Sequence, residues 1–262
     1  MKSKALKLLK KYNLHPSRRL SQNFLIDERV IEKMASYAHG TVLEIGSGLG
    51  FITEKLSEKA ERVIGIEKDL RFFKILKSEY DFSNVEFICG DFMKIEIPDF
   101  DVCISNIPYS LSSQITFKLL KCNFEFSILS YQREFAERMV VQPSLNYGRL
   151  SVMTQVFSDA ELLEVVPRKA FYPKPKTDSA LLKLIPNKKF EVDEFFEDVV
   201  RALFSHKRKK VRNSLYASRY FFKIEKDEMK RILKDMKFGD RKVYSLKLSE
   251  IKEISDNLKK LI

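Results

Sequence analysis

Between residues 41 and 186 the chain alternates short, β-branched apolar runs with segments of helical period, and this alternation restricts the fold more than any other feature. The strand candidates are TVLEI (41–45), RVIGI (62–66), VEFIC (85–89), FDVCIS (100–105) and FSILSY (126–131). Helices are expected near 50–59, 69–80, 112–122 and 132–141. Such alternation builds βαβ units, hence an α/β fold with a mostly parallel sheet covered by helices on both faces. Ligands in such sheets bind beyond the carboxyl ends of the strands. Two more strands, ELLEVV (161–166) and SALLKLI (179–185), follow with no obvious helix after the last, so this part of the sheet is expected to close antiparallel. After Pro186 the pattern turns helical and charged. The expected organisation is therefore a domain over 1–186, with a basic extension at 1–26, and a small helical domain over 187–262.

At 262 residues and 44% apolar content the chain can bury a full core. No apolar run approaches the ~18 residues of a membrane span, so a cytoplasmic protein with no membrane partner is expected. Cys89, Cys103 and Cys122 lack CxxC spacing, which points to reduced, mostly buried thiols and no metal site. The net charge of +12 is unevenly placed. Residues 1–26 carry seven basic side chains and no acid, residues 187–262 carry 21 basic and 13 acidic, and the long middle is slightly acidic. An enzyme body flanked by surfaces for a polyanion fits this distribution, and solvated basic helices fit it equally.

The chemistry-bearing residues fall at successive strand ends. VLEIGSGLGFIT places Gly46, Gly48 and Gly50 between a strand and a helix, where backbone can approach a ligand closely. Glu67 follows 21 residues after Gly46, at the end of the second strand, where a carboxylate can accept both hydroxyls of a ribose. The spacing is GxGxG, with no Arg directly after Glu67 to catch a ribose phosphate, which leans away from a nicotinamide dinucleotide. Asp91 and Phe92 close the third strand; the carboxylate can take an adenine amino group, or simply cap a turn. The fourth strand ends in Asn106-Ile107-Pro108-Tyr109. Pro108 fixes the backbone, Asn106 adds an acceptor, and Tyr109 offers a face for a base to stack on. Two acceptors on one exocyclic amine would hold both its protons and turn its lone pair toward an electrophile. A proline-terminated strand with a capping Asn is the plainer alternative for the tetrapeptide by itself.

In this order the motifs resemble the KsgA-type ribosomal RNA adenine dimethyltransferases, and most closely their archaeal and eukaryotic branch. The resemblance extends to QNFLID (22–27), YQREFAERM (131–139), YGRLSV (147–152), FYPKP (171–175) and RALFSHKRKKVRNSL (201–215). It implies a Rossmann-like S-adenosylmethionine-dependent methyltransferase sheet with S-adenosyl-L-methionine as cofactor. By the same resemblance Gln22, Asn23 and the glycine turn surround the methionine end of the cofactor, Glu67 its ribose, and Asp91 with Phe92 its adenine. Asn106 borders the cofactor as well and joins the methyl-transfer site with Pro108, and the target adenine lies between Tyr109 and Phe171. Ser21, where Gly is frequent in the family, and Thr177, where Val is common, depart from the pattern.

The implied reaction is direct transfer to the exocyclic amines of two adjacent adenosines near the 3′ end of small-subunit ribosomal RNA. Positioning and fixed acceptors drive it, without a strong general base. The expected partner is that RNA, within a pre-ribosomal small subunit, acted on by a monomer. Arg18 and Arg19 at one end, and Lys207, Arg208, Lys209, Lys210 and Arg212 at the other, are the phosphate-contact candidates. A large-subunit methyltransferase of the antibiotic-resistance type and an assembly factor with little catalysis are the competing expectations.

Overall fold

The computed structural model describes residues 1–17 and 22–262, so Arg18, Arg19 and Ser21 lie outside the described residues. In chain order the elements are α1 (Lys2–Lys11), β1 (Phe24–Leu25), α2 (Glu28–Ala35), β2 (Thr41–Ile45), α3 (Phe51–Ser57), β3 (Arg62–Glu67) and α4 (Leu70–Glu79). Next come β4 (Val85–Cys89), β5 (Val102–Asn106), α5 (Ser112–Leu119), β6 (Phe126–Gln132), α6 (Arg133–Val140) and α7 (Arg149–Phe157). The chain closes with β7 (Ser158–Val166), β8 (Phe171–Tyr172), β9 (Ser179–Pro186), α8 (Glu194–Ser205), α9 (Val211–Ala217), α10 (Lys226–Leu233) and α11 (Leu248–Leu261).

Seven strands form one sheet in the order β4-β3-β2-β5-β6-β9-β7. β4 through β6 are parallel, and β9 pairs antiparallel with β6. β2 is buried along nearly its whole length, which is why it reads as an apolar run without alternation. From β2 the chain winds outward through β3 and β4, then returns to β5 on the other side. The strand order therefore reverses between β2 and β5, and a crevice opens past their carboxyl ends. Gly46 and Asn106 stand at its two edges.

Contacts divide the chain into two compact units: Met1–Ala136 with Ala160–Pro186, and Glu137–Asp159 with Asn187–Ile262. In the first, Val42, Val63, Ile104 and Ile128 from the strands share a core with Val30, Ile31 and Met34 of α2. Helix α1 joins this core through Ala5, Leu8 and Leu9. Burying each leucine contributes about 1.5–3 kcal/mol. Lys4 pairs with Glu54 and Lys11 with Glu79, so the basic N-terminal helix is docked through both its apolar and its charged residues rather than being a free cationic arm. A second, two-stranded ribbon pairs β1 with β8 antiparallel, Phe24 opposite Tyr172 and Leu25 opposite Phe171.

In the second unit α8 buries Phe196, Val199, Val200 and Leu203, and Asp193 caps it by accepting from the Phe196 amide at 2.8 Å. Ser214 Oγ donates to the carbonyls of Ala202 and Leu203, fastening α9 to the end of α8. These units are not the expected 1–186 and 187–262: residues 137–159 belong with the C-terminal helices, a grouping the sequence does not suggest. Helix α7 accounts for it: Val152, Met153 and Val156 are buried, and α7 packs on α8 and α11. The thiols also differ from expectation, since Cys103 is buried and Cys89 is exposed. Among the described residues no helix is long and apolar enough to cross a membrane.

Candidate active site

β2 runs directly into Gly46-Ser47-Gly48, where φ is 81° at Gly46 and 56° at Gly48, values glycine alone adopts without strain. A Cβ on Gly48 would stand 2.9 Å from the Phe24 ring, so only glycine lets this turn close against β1. The Gly48 amide donates to Glu67 Oε2 at 2.8 Å, and the Asp69 amide donates to Oε1 at 2.7 Å. Both carboxylate oxygens are thus anchored while each keeps a lone pair for a hydroxyl. Glu67 is buried, and burial pushes its carboxyl above the usual carboxylate range, against the pull of these backbone donors.

A cavity of about 350 Å³ fills the crevice. Gly46, Gly48, Glu67, Asp91, Phe92, Asn106 and Pro108 line it, with Gln22, Asn23 and Phe24 from the N-terminal side. Asp91 is salt-bridged to Lys68 at 2.7 Å, which holds its carboxyl below the usual range, while its Oδ1 accepts from the Met93 amide at 3.0 Å. Phe92 is buried beside it.

Asn106 ends β5 with its amide fixed in one sense: Nδ2 donates to the Asn23 carbonyl at 2.8 Å. Its Oδ1 is buried and has no hydrogen-bond partner. An unmet buried acceptor costs about 1–3 kcal/mol, so its presence in the lining marks a place built for a donor.

Not every expected site residue reaches the cavity. Gly50, with φ at 78°, opens α3, and a Cβ there would meet the Tyr80 ring at 2.5 Å; it serves helix packing and does not line the site. Gln22 does line it, but its side chain acts as a brace. Oε1 accepts from the Ser17 amide at 2.6 Å and Nε2 donates to Asp69 Oδ2 at 3.0 Å. Tyr109 lies beside the lining with its hydroxyl bonded to Ser179 Oγ. Phe171 is 2% exposed, buried in the core from its place in the ribbon. The structure thus shows neither ring facing the cavity, and Phe171 would have to leave the core to face a base.

Residues that sequence reasoning missed also shape the site. Asp69 caps α4 through the Arg71 amide at 3.1 Å, pairs with the Arg71 guanidinium and receives Gln22, so one carboxylate joins helix, cavity wall and N-terminal segment. That guanidinium holds its carboxyl below the usual range. An Asp two residues after the ribose candidate, at the start of a helical period, was the available signal. Phe24, whose ring lies tilted at 52° with its centroid 5.2 Å from that of Phe72, carried no signal of its own beyond its place in QNFLID.

A seven-stranded sheet in this order, with a glycine turn after β2, an acidic residue after β3 and an Asn-Ile-Pro-Tyr segment after β5, defines an S-adenosylmethionine-dependent methyltransferase. The model of the family described as ribosomal RNA adenine dimethylase matches residues 13–256. Similar proteins include probable ribosomal RNA small subunit methyltransferase A of Thermococcus sibiricus, 44% identical over 99% of this chain and 98% of the relative. The protein of that name from Methanosarcina barkeri is 42% identical over 96% and 90%. Among solved structures, a dimethyladenosine transferase from Plasmodium falciparum superposes with a TM-score of 0.79 at 29% identity, covering 91% of this chain and 98% of that one. The 23S rRNA methyltransferase ErmE gives 0.65 at 26%, covering 90% and 100%. The chain belongs to the ribosomal RNA adenine dimethylase family, whose methyl donor is S-adenosylmethionine.

The residues present fit that donor. Gly46 leaves backbone open along one wall, Glu67 offers two anchored acceptors, and the unmet oxygen of Asn106 lies in the lining of the same cavity.

Proposed function

We propose that this chain dimethylates the exocyclic amines of two adjacent adenosines near the 3′ end of small-subunit ribosomal RNA, acting as a cytoplasmic monomer on a pre-ribosomal small subunit. The names of its relatives from Thermococcus and Methanosarcina support the choice of subunit. The observation that carries the chemistry is the buried, unpartnered Oδ1 of Asn106.

Bound S-adenosylmethionine supplies an electrophilic methyl group on a sulfonium. Glu67 accepts the two ribose hydroxyls, Asp91 the adenine amino group, and Phe92 packs on that ring. Gln22, Asn23 and the glycine turn enclose the amino-acid end. On the acceptor side, Asn106 Oδ1 and a backbone carbonyl of the 106–108 segment each take one hydrogen of the target amine, fixing its lone pair toward the methyl group. Pro108 keeps that carbonyl in place. The N–C bond forms as the donor's S–C bond breaks and a neutral thioether leaves. The amine loses its proton only as this happens, and Asn106 or water carries it away. For the second transfer the monomethylated amine turns so that its one remaining hydrogen meets one of the two acceptors. Tyr109 stacks on one face of the base, and Phe171 closes the other after turning out of the core.

In the second unit, Lys207, Arg208, Lys209, Lys210 and Arg212 bind RNA phosphates. Arg208, Lys209 and Lys210 are exposed, which suits this role.

Transfer of labelled methyl from S-adenosylmethionine to unmethylated small and large subunits, with nucleoside identification, tests the proposal. Dimethyladenosine confined to small subunits, and lost in Asn106→Ala, is the expected result. Label confined to large subunits would overturn the substrate assignment.

A further inference from the structure

Helix α5 starts directly after the turn that carries Tyr109, and it reaches back to the loop that follows β4. Ile115 lines the cavity. One turn further on, Lys118 Nζ donates to the carbonyl of Phe92 at 2.6 Å and to that of Ile95 at 2.9 Å. The same ammonium lies 5.1 Å from the centroid of the Phe92 ring.

The loop it holds is a single turn. The amides of Lys94 and Ile95 both donate to the Asp91 carbonyl, at 2.8 and 3.1 Å. A turn of this kind ends with carbonyls that find no partner within it, and a cation placed at that end satisfies them. The three donors of an ammonium suit the task. Lys68 secures the other side of the turn through Asp91 Oδ2, but its side chain is 55% exposed, whereas Lys118 is partly buried.

We infer that Lys118 is a positioning residue for the cofactor's base: it fixes Phe92 and Asp91 relative to the helix that begins at the methyl-transfer motif. The inference rests on the function proposed above. Lys118 touches no reacting atom, so its effect falls on cofactor affinity and leaves the chemical step alone. The turn is tied to α5 by this side chain through two hydrogen bonds and a ring contact, whereas Asn106 is held separately by the Asn23 carbonyl, so loss of Lys118 loosens base recognition without releasing the 106–109 segment.

Lys118→Met keeps most of the aliphatic stem and removes every donor; Lys118→Arg keeps two donors for the two carbonyls. Dissociation constants for S-adenosylmethionine and for free adenosine are measured by calorimetry, with kcat at saturating cofactor and RNA binding read separately. In Lys118→Met both constants should rise about 5- to 30-fold, with kcat and RNA affinity within about twofold, and Lys118→Arg should recover most of the loss. If Lys118→Met does not fold, Lys118→Gln, which retains a donor, carries the same expectation at about threefold. Unchanged constants for both ligands, or a loss in kcat without a loss in affinity, would overturn the inference. Failure of the unaltered chain to bind S-adenosylmethionine is a distinct result: it overturns the proposed function, and the inference with it.

Discussion

The side-chain amide of Asn106 is held by the backbone of Asn23, 83 residues earlier in the chain: Nδ2 donates to the Asn23 carbonyl at 2.8 Å and Oδ1 is left as a buried acceptor. An amide free to rotate would present donor and acceptor equally, and this bond removes the choice. Asn106→Ala should therefore lower kcat by about 10²–10³, the range for loss of one preorganised polar contact, with cofactor affinity nearly unchanged. Single-turnover methyl transfer at saturating cofactor measures it. A variant within twofold of the parent would show that Oδ1 plays no part in the reaction.

Acidification should weaken cofactor binding earlier than an ordinary glutamate would allow. Burial raises the Glu67 carboxyl above its usual 4.5, and only the ionised form accepts both ribose hydroxyls. Affinity for S-adenosylmethionine is thus full above the raised value and falls as pH drops through it. Glu67→Gln should flatten this profile and weaken binding by about 10- to 100-fold at neutral pH. Equal pH profiles for parent and variant would remove Glu67 from the ribose contact.

Glu44 makes a separate prediction about stability. It lies fully buried in β2 beside the Thr53 hydroxyl, and burial pushes its carboxyl from 4.5 to about 7. Between those values the folded chain keeps a proton that the unfolded chain releases, so stability is greatest below the window and is lost as pH rises through it. The full effect is roughly 3 kcal/mol as an upper bound. Glu44→Gln, which stays neutral, should show a flatter denaturant midpoint from about pH 5 to 8. Parallel curves for the two chains would mean that Glu44 does not titrate in this range.

Asp240 bridges both Lys210 and Arg212, while among the described residues no acid pairs with Arg208 or Lys209. Asp240→Asn should release two cations, tightening RNA binding at low salt and steepening its salt dependence by about one to two phosphate contacts. Reversing Arg208 and Lys209 to Glu should do the opposite. Filter binding across a salt series reads both, and weaker binding in Asp240→Asn would contradict the assigned surface.

The sheet was legible because its central strands β2, β3, β5 and β6 are buried along nearly their whole length, while the edge strand β4 is only half-buried and was legible from its β-branched and aromatic run. VEFIC and TVLEI coincide with β4 and β2, and the other strand candidates differ mainly at their ends. The acidic and glycine residues at the strand ends were legible for the same reason, since strand direction alone places them at one edge. The ribbon of β1 and β8 was not, because two residues carry no periodicity and their partners lie almost 150 positions apart. Phe171 was identified as a base-facing ring and is found in the core; its aromatic character is the same in either place. Asp69 and Lys118 escaped because a charge on a helix surface looks alike whether it meets solvent or reaches a loop. Helix α7 escaped as well, its apolar residues surrounding the helix without a clean stripe.

The chain contains no tryptophan. In the ribbon, half-buried Tyr172 pairs with Phe24, which lines the cavity, and is followed back along the strand by Phe171. Tyr172→Trp would thus give the molecule a single indole at the junction between the cavity wall and the ring proposed to receive the base. Its emission would follow both events in one cuvette, so the order in which cofactor and RNA arrive becomes readable from light alone.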